Sequence, residues 1–152
     1  IQIAKGYGIT TFALDVKSYS NKQEYEQDVI RILKGCGVDI VCLAGYMRLV
    51  GEDLLTSFKQ RLVNIHPSLL PSFKGLNAQK QALEYGVKYA GCTVHYVTSM
   101  LDSGPVIDQA VVEVKETDTV QALSERILIQ EHRLYPKAVK KVIESILTIK
   151  GK

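Results

Sequence analysis

The chain has 152 residues, of which 46% are hydrophobic and 23% charged, and its formal net charge is +3. This composition is ordinary for one globular domain, and a chain of this length can bury a real core. Its longest apolar run is far shorter than the ~20 residues needed to cross a bilayer. The mild positive charge indicates a solvated helix face rather than a nucleic-acid surface. We therefore expect one domain over residues 1–152 with no membrane or nucleic-acid partner. The composition does not determine the oligomeric state, for which we expect a monomer or a homodimer.

Cysteine and histidine usage predicts a cytoplasmic protein without a metal site. Cys36, Cys42 and Cys92 are odd in number and share no Cys-x-x-Cys spacing. We expect them to be reduced, mostly buried thiols, as is usual in the cytosol. The three histidines and the cysteines have no paired spacing of the kind that structural metal ligands show.

Alternating strand and helix patterns run along the chain. Strands are indicated by β-branched and aromatic runs, and helices by apolar residues recurring every three or four positions. In chain order the patterns predict a helix tail ending at Gly6, a strand over 9–14, a helix over 22–34, a strand over 39–45, a short helix over 52–58, a strand from Leu62, a short helix over 77–85, strands over 91–98 and 106–114, and a long helix over 120–147.

This order favours an α/β three-layer domain with a mainly parallel twisted sheet and an antiparallel addition. The nearly continuous apolar run at 39–45 is typical of a parallel strand that is buried on both faces. Asn21 and Glu24 have the spacing of a capping box at the start of the first long helix. Pro136 lies inside the last helix and should kink or divide it.

The stretch from Leu62 to Pro71 contains the most informative polar residues. Side chains two positions apart in a strand point to the same face, so Asn64 and His66 should project side by side. Pro67 then ends the strand, because it has no N–H to donate to a neighbour. Open α/β sheets bind their ligands at the carboxyl ends of parallel strands, which is where this pair is expected.

Asp102, in a loop that continues Ser-Gly-Pro, could supply a partner for the histidine. A carboxylate beside an imidazole favours the charged ring and orients it, and a side-chain amide can donate to an oxyanion. Together these groups suit addition to a carbonyl through a tetrahedral intermediate. A structural alternative is open for each residue: a satisfied turn for the Asn-x-His pair and for Asp102, a solvated helix face for Glu131, and a structural role for His95.

Five segments of the chain form a combined pattern. They are Asn-Ile-His-Pro-Ser-Leu-Leu-Pro at 64–71, Thr-Ser-Met-Leu-Asp-Ser-Gly-Pro-Val at 98–106, Leu-Ala-Gly-Tyr-Met-Arg-Leu at 43–49, Gly-Cys-Thr-Val-His-Tyr-Val at 91–97, and Gln-Glu-His at 130–132 followed by Tyr-Pro at 135–136. Together these segments resemble the folate-dependent formyltransferases, and within them the branch that formylates glycinamide ribonucleotide in de novo purine synthesis. The resemblance covers residues 1 to about 147.

The resemblance implies a Rossmann-like formyltransferase fold and direct attack of the glycinamide ribonucleotide amine on the formyl carbon of 10-formyltetrahydrofolate, the co-substrate. It assigns catalysis to Asn64, His66 and Asp102, with the carboxylate keeping the histidine charged. It also implies a cis Leu70–Pro71 bond. The implied folate-binding residues are Lys22, Met47, Arg48, Leu49, Val50, Thr98, Ser99, Met100 and Leu101. The implied substrate-binding residues are Pro67, Leu128, Ile129, Gln130 and Glu131.

Three departures from the family pattern are visible. Lys22 stands where an arginine is frequent, and Leu128 stands where a polar residue is frequent. The family also begins with a strand, a Gly-rich loop and a helix that holds the substrate phosphate, and no such segment is present here. We therefore expect the sequence to lack an N-terminal segment or to need a partner. Hydrolysis of 10-formyltetrahydrofolate and folate binding without turnover are the alternative functions.

Overall fold

In the computed structural model, which describes residues 1–150, a four-stranded sheet lies between two groups of helices. The last two residues of the predicted domain lie outside this description. In chain order the elements are α1 (Gln2–Gly6), a short 3-10 helix (Val16–Ser18), α2 (Lys22–Gly35), β1 (Val41–Leu43), α3 (Glu52–Ser57), β2 (Leu62–His66), α4 (Ala78–Tyr85), β3 (Tyr89–Tyr96), β4 (Val106–Glu113) and α5 (Val120–Lys150). The predicted α/β class is confirmed. Within residues 1–150, no helix combines the length and apolar character needed to cross a membrane.

The strands are ordered β1-β2-β3-β4, and the sheet is mixed rather than mainly parallel. β1 and β2 are parallel and are connected through α3, since a parallel pair requires a crossover. β2 and β3 are antiparallel, and so are β3 and β4, which a single loop joins. The parallel β1–β2 pair places the end of β2, with Asn64 and His66, beside the end of β1.

Two apolar clusters cover the two faces of the sheet. Alternate residues of a strand point to opposite faces, so Leu62 packs with α2 and α3 while Ile65 packs with α4 and α5. Leu54 and Phe58 form the centre of the first cluster, and both are at most 3% exposed. The second cluster is larger, and its buried members are Ala82, Ala90, Cys92, Val94, Val112, Leu123, Ile127, Leu134 and Ala138. Asn64 and His66 share the face of Leu62.

The strand predicted over 9–14 does not form. A β-branched run becomes a strand only when a neighbouring strand completes its backbone hydrogen bonds. None of the strands described in residues 1–150 pairs with this segment. Ile9 and Phe12 are 59% and 54% exposed. β1 is likewise shorter than the predicted 39–45, because only three of its residues pair with β2.

The expectation of mostly buried cysteines is wrong, and of the two outcomes predicted for Pro136, division of the helix does not occur. Cys36 and Cys42 are exposed, and only Cys92 is buried, because Cys36 caps the end of α2 and Cys42 lies on the edge strand β1. Pro136 does not divide the last helix, which runs unbroken from Val120 to Lys150. Proline removes one backbone donor, and the flanking core residues Leu134 and Ala138 keep both halves packed on the sheet.

Candidate active site

Asn64 and His66 project from one face of β2, and His66 lies beside Asp102, which belongs to the loop after β3. The Nδ1 atom of His66 is 3.4 Å from Oδ2 of Asp102, and the two side chains are 7% and 9% exposed. The Nε2 atom of His66 is 2.9 Å from the carbonyl oxygen of Phe73. Because a carbonyl can only accept, Nε2 carries a proton. The ring is therefore held between a carbonyl and a carboxylate.

The loop holds Asp102 in a conformation that few residues adopt. Its φ angle is +44°, in the left-handed region that Asp and Asn tolerate better than other side chains. The backbone N–H of Gly75 donates to Oδ2 at 2.9 Å, and Lys74 donates to the hydroxyl of Ser103 from the same side. Two loops that are distant in sequence thus fix the carboxylate against the imidazole. Strained backbone of this kind is concentrated at functional sites.

His95 belongs to the same cluster, although its alternation in the sequence indicated only a structural role. It lies opposite Asn64 in the antiparallel β2–β3 pair. Its Nδ1 atom is 2.9 Å from the carbonyl of Tyr96, and its Nε2 atom is 3.3 Å from Nδ2 of Asn64 and 3.8 Å from Oδ1 of Asp102. Burial lowers the pKa of this imidazole, which is 2% exposed. Only the register of two distant strands could have revealed this contact.

A buried polar network supports the turn that follows His66. The hydroxyl of Thr93 donates to the carbonyl of Ser68 at 2.7 Å and accepts from the N–H of Leu70 at 3.0 Å. The side chain of Gln109 donates to the Leu70 carbonyl and to the Thr93 hydroxyl. The Leu70–Pro71 bond is cis, as the resemblance implies. The chain then reaches Phe73, whose carbonyl accepts a hydrogen bond from Nε2 of His66.

Two cavities meet at Asn64. The larger has a volume of about 590 Å³, and Pro67, Leu128 and Glu131 are part of its wall. The smaller, of about 50 Å³, is bounded by the loop that carries Asp102. Asn64 and Tyr46 line both cavities. A group bound in one cavity can therefore contact a group bound in the other beside the Asn64 amide.

The residues expected to bind folate divide between the cavities. The smaller cavity is lined by Arg48, Leu49, Val50, Thr98, Met100 and Leu101. Met47 lines the larger one instead. Ser99 and Lys22 are not among the described residues that line either cavity. The Nζ atom of Lys22 lies 3.6 Å from Oε1 of Glu26 on the same helix. Glu26 also accepts a hydrogen bond, at 2.9 Å, from the backbone N–H of Gly51, which directly follows the Met47–Val50 segment.

The residues expected to bind the second substrate also divide. The larger cavity is lined by Pro67, Leu128 and Glu131. Ile129 and Gln130 are not among the described residues that line it. Burial raises the pKa of the Glu131 carboxyl, and the neighbouring histidines His132 and His66 oppose this rise. Leu128 is 46% exposed and places an apolar surface next to that carboxyl.

The chain is similar to known proteins in both sequence and fold. The family model described as "Formyl transferase" matches residues 1–139. Phosphoribosylglycinamide formyltransferase of Bacillus subtilis is 45% identical over 143 residues, which cover 94% of this chain and 73% of that protein. The human trifunctional purine biosynthetic protein adenosine-3 is 45% identical over 139 residues, or 91% of this chain and 14% of that protein.

Solved structures of named formyltransferases have the same fold as this chain. Glycinamide ribonucleotide transformylase 1 from Symbiobacterium toebii superposes with a TM-score of 0.89 at 52% identity, over 91% of this chain and 65% of that chain. Phosphoribosylglycinamide formyltransferase from Bacillus halodurans gives the same TM-score at 47% identity, over 93% of this chain and 73% of that one. The family match over residues 1–139 includes Asn64, His66 and Asp102. The chain belongs to the formyl transferase family.

Proposed function

We propose that the chain transfers the formyl group of 10-formyltetrahydrofolate to the amine of glycinamide ribonucleotide, in the cytoplasm and in de novo purine biosynthesis, and that residues 1–152 act as one domain. The observation that carries the proposal is the position of Asn64, which lines both cavities next to the buried His66–Asp102 pair. The relatives named for formylation of phosphoribosylglycinamide give the substrate class.

The reaction needs an amine and a formyl carbon to meet beside an oxyanion stabiliser. The ribonucleotide would occupy the larger cavity and the formyl end of the folate the smaller one. Attack of the amine on the formyl carbon breaks the carbonyl π bond and places a negative charge on its oxygen. The amide N–H of Asn64 and a protonated His66 would stabilise that charge. Collapse of the intermediate breaks the bond to the folate nitrogen, which gains a proton as it leaves, while the attacking amine nitrogen loses one.

The contacts of His66 support a charged ring. Its Nε2 proton donates to the Phe73 carbonyl, so a neutral ring would turn the lone pair of Nδ1 toward the carboxylate of Asp102. A second proton on Nδ1 replaces that repulsion with attraction. The 3.4 Å separation is longer than the about 2.7–2.9 Å of a charge-assisted hydrogen bond. The Nδ1 proton can therefore be shared with an oxyanion that enters beside Asp102.

The two cavities place different demands on their ligands. The larger has ample volume for a small polar molecule, and Glu131 offers an acceptor for amine or hydroxyl protons. The smaller is well below the roughly 300 Å³ of a typical ligand site. Binding of a pterin ring would therefore require its rim to widen. Met100 and Leu101, which are 69% and 52% exposed on that rim, are free of the tight packing that would prevent this movement.

The test is to measure formyl transfer by His66→Ala and Asn64→Ala variants. Removing an oxyanion donor costs about 10²–10³ in kcat in enzymes of known mechanism, and we expect a fall of at least the lower value for each variant. Thr119→Ala is a matched control, because this exposed hydroxyl accepts from the Ala122 N–H at the start of α5, and loss of such a cap costs about 1 kcal/mol of stability without removing an expected site residue. Activity of His66→Ala within about twofold of the parent would contradict the mechanism.

Product analysis separates the proposal from its alternatives. Formyl transfer yields one formylated ribonucleotide for each folate consumed, whereas hydrolysis yields formate whether or not the ribonucleotide is present. Binding of a folate analogue with no turnover in the presence of both substrates would support a binding module instead. The measurement needs only the two substrates, the parent protein and detection of formate.

A further inference from the structure

We propose that His95 is a positioning residue, which accepts a hydrogen bond from the Asn64 amide through Nε2 and so aims the second amide proton at the reacting oxygen. The expected effect on kcat rests on the proposed formyl transfer, whereas the contact between His95 and Asn64 is independent of that function. The predicted catalytic set of Asn64, His66 and Asp102 contains no group that orients the amide.

The tautomer of His95 follows from its surroundings. Its Nδ1 atom faces the carbonyl of Tyr96 at 2.9 Å, so Nδ1 carries the proton. In the neutral ring Nε2 is then a bare acceptor. The hydrogen-bond partner of Nε2 is Nδ2 of Asn64 at 3.3 Å, and an amide nitrogen can only donate. The two side chains therefore form an N–H···N hydrogen bond. Because Nε2 can only accept, this bond fixes the orientation of the Asn64 amide, with its nitrogen toward His95.

The competing arrangement is an ion pair between His95 and Asp102. It requires a second proton on a ring that is 2% exposed, and the Nε2–Oδ1 distance is 3.8 Å, beyond hydrogen-bond range. Asp102 already receives the N–H of Gly75 and faces His66. Burial also lowers the pKa of the His95 imidazole. The neutral ring, with Asn64 as its donor, satisfies all of these groups.

The backbone around His95 is built to hold the ring in place. A register shift between β3 and β4 falls at Val94 and His95, and such bulges re-aim a side chain. Gly104 packs against the same strand so closely that an added Cβ would lie 1.7 Å from the Tyr96 carbonyl oxygen. The N–H of Tyr96 is bound by the Pro105 carbonyl at 2.9 Å. The carbonyl that sets the tautomer is thus fixed by the loop that carries the catalytic carboxylate.

An amide has two N–H bonds, and the contact with His95 uses one of them. The other is left to point into the space where the two cavities meet. Without an acceptor at the position of Nε2, the Asn64 amide is free to rotate or to present its oxygen, which would repel an oxyanion. Loss of this hydrogen bond should lower kcat and leave KM nearly unchanged, because the oxyanion exists only after the amine has attacked.

Two substitutions separate the acceptor from the rest of the ring. His95→Gln places an amide oxygen near the position of Nε2 and keeps the acceptor. His95→Asn keeps a donor near Nδ1 and loses the acceptor. We expect His95→Asn to lower kcat at least about tenfold, with KM for both substrates within about twofold, and His95→Gln to recover most of the loss. Val94→Ala removes equally buried volume from the opposite face of β3 and controls for general loosening of the strand.

The deciding measurement is a double-mutant cycle. If His95 acts through Asn64, the His95→Asn substitution should change kcat less than about twofold in an Asn64→Ala background. Equal losses in both backgrounds would overturn the proposal, and so would a Gln variant that is no better than Asn.

A second readout does not depend on turnover. The chain has three histidines, so the ring nitrogens of His95 can be assigned by nitrogen-15 NMR from the signals lost in His95→Gln. We expect a protonated Nδ1 and an unprotonated Nε2, with the Nε2 signal shifting in Asn64→Ala. A protonated Nε2 would refute the hydrogen bond. A parent protein with this tautomer but no formyl transfer would instead refute the proposed function and leave the contact standing.

Discussion

Replacing Thr93 by valine tests whether the turn after His66 is held by the buried network described above. Thr93 is fully buried, and its hydroxyl donates to the Ser68 carbonyl and accepts from the Leu70 N–H and the Gln109 amide. Valine has nearly the same shape but no hydroxyl. The Ser68 carbonyl and the Leu70 N–H would then lose their partners inside the protein, whereas Gln109 keeps its bond to the Leu70 carbonyl.

The expected cost follows from these two orphaned groups. A buried donor or acceptor left unsatisfied costs about 1–3 kcal/mol, so two of them should cost the valine variant about 2–6 kcal/mol of unfolding free energy. Thr93→Ser is the matched control, since it keeps the hydroxyl and removes one methyl group, worth about 1 kcal/mol. Urea unfolding of the three proteins gives the comparison. A valine variant as stable as the serine variant would refute the network as a source of stability.

Three further predictions concern other parts of the structure. Gly51→Ala should destabilise the protein, because its Cβ would lie 1.9 Å from the buried carboxylate of Glu26, whereas Gly35→Ala meets no neighbouring atom and should be tolerated in the same unfolding assay. Glu131→Gln should raise the free energy of unfolding more at pH 7 than at pH 4. Burial raises the pKa of the Glu131 carboxyl, so its ionisation destabilises the folded protein as the pH rises, and urea unfolding midpoints at both pH values measure this. Cys92, whose pKa is raised to about 12 by burial, should stay unlabelled by thiol reagents at pH 8 until the protein unfolds, as mass spectrometry would show.

Local patterns predicted the helices more accurately than the strands. The amphipathic stripe and the Asn21 cap placed α2 to within a residue of its observed end, and the cap bond to the Glu24 N–H is present at 2.9 Å. These features depend on residues three or four positions apart. A strand depends on a partner elsewhere in the chain. The β-branched run at 9–14 has strand composition but no partner strand in the described part of the chain, so composition misled there.

The burial of the cysteines was predicted correctly for Cys92 and wrongly for Cys36 and Cys42. Cys92 is buried because β3 is an inner strand, whereas Cys42 is exposed because β1 lies at the edge, although both cysteines follow strand-like sequence. Pro136 is tolerated because core contacts on both sides of it outweigh one absent hydrogen bond. In each case the deciding interaction joins residues that are far apart along the chain.

The sequence alone determined that Asn64 and His66 share one face at a strand end, because side chains alternate with a period of two along any strand. The family motifs determined the chemistry that these residues are expected to perform. Only the tertiary structure decided that Asp102 reaches Nδ1 of His66, that His95 faces the Asn64 amide, and that the two cavities meet at Asn64. Those relations depend on strand register and loop packing, which are set by contacts across the whole domain and not by any local pattern.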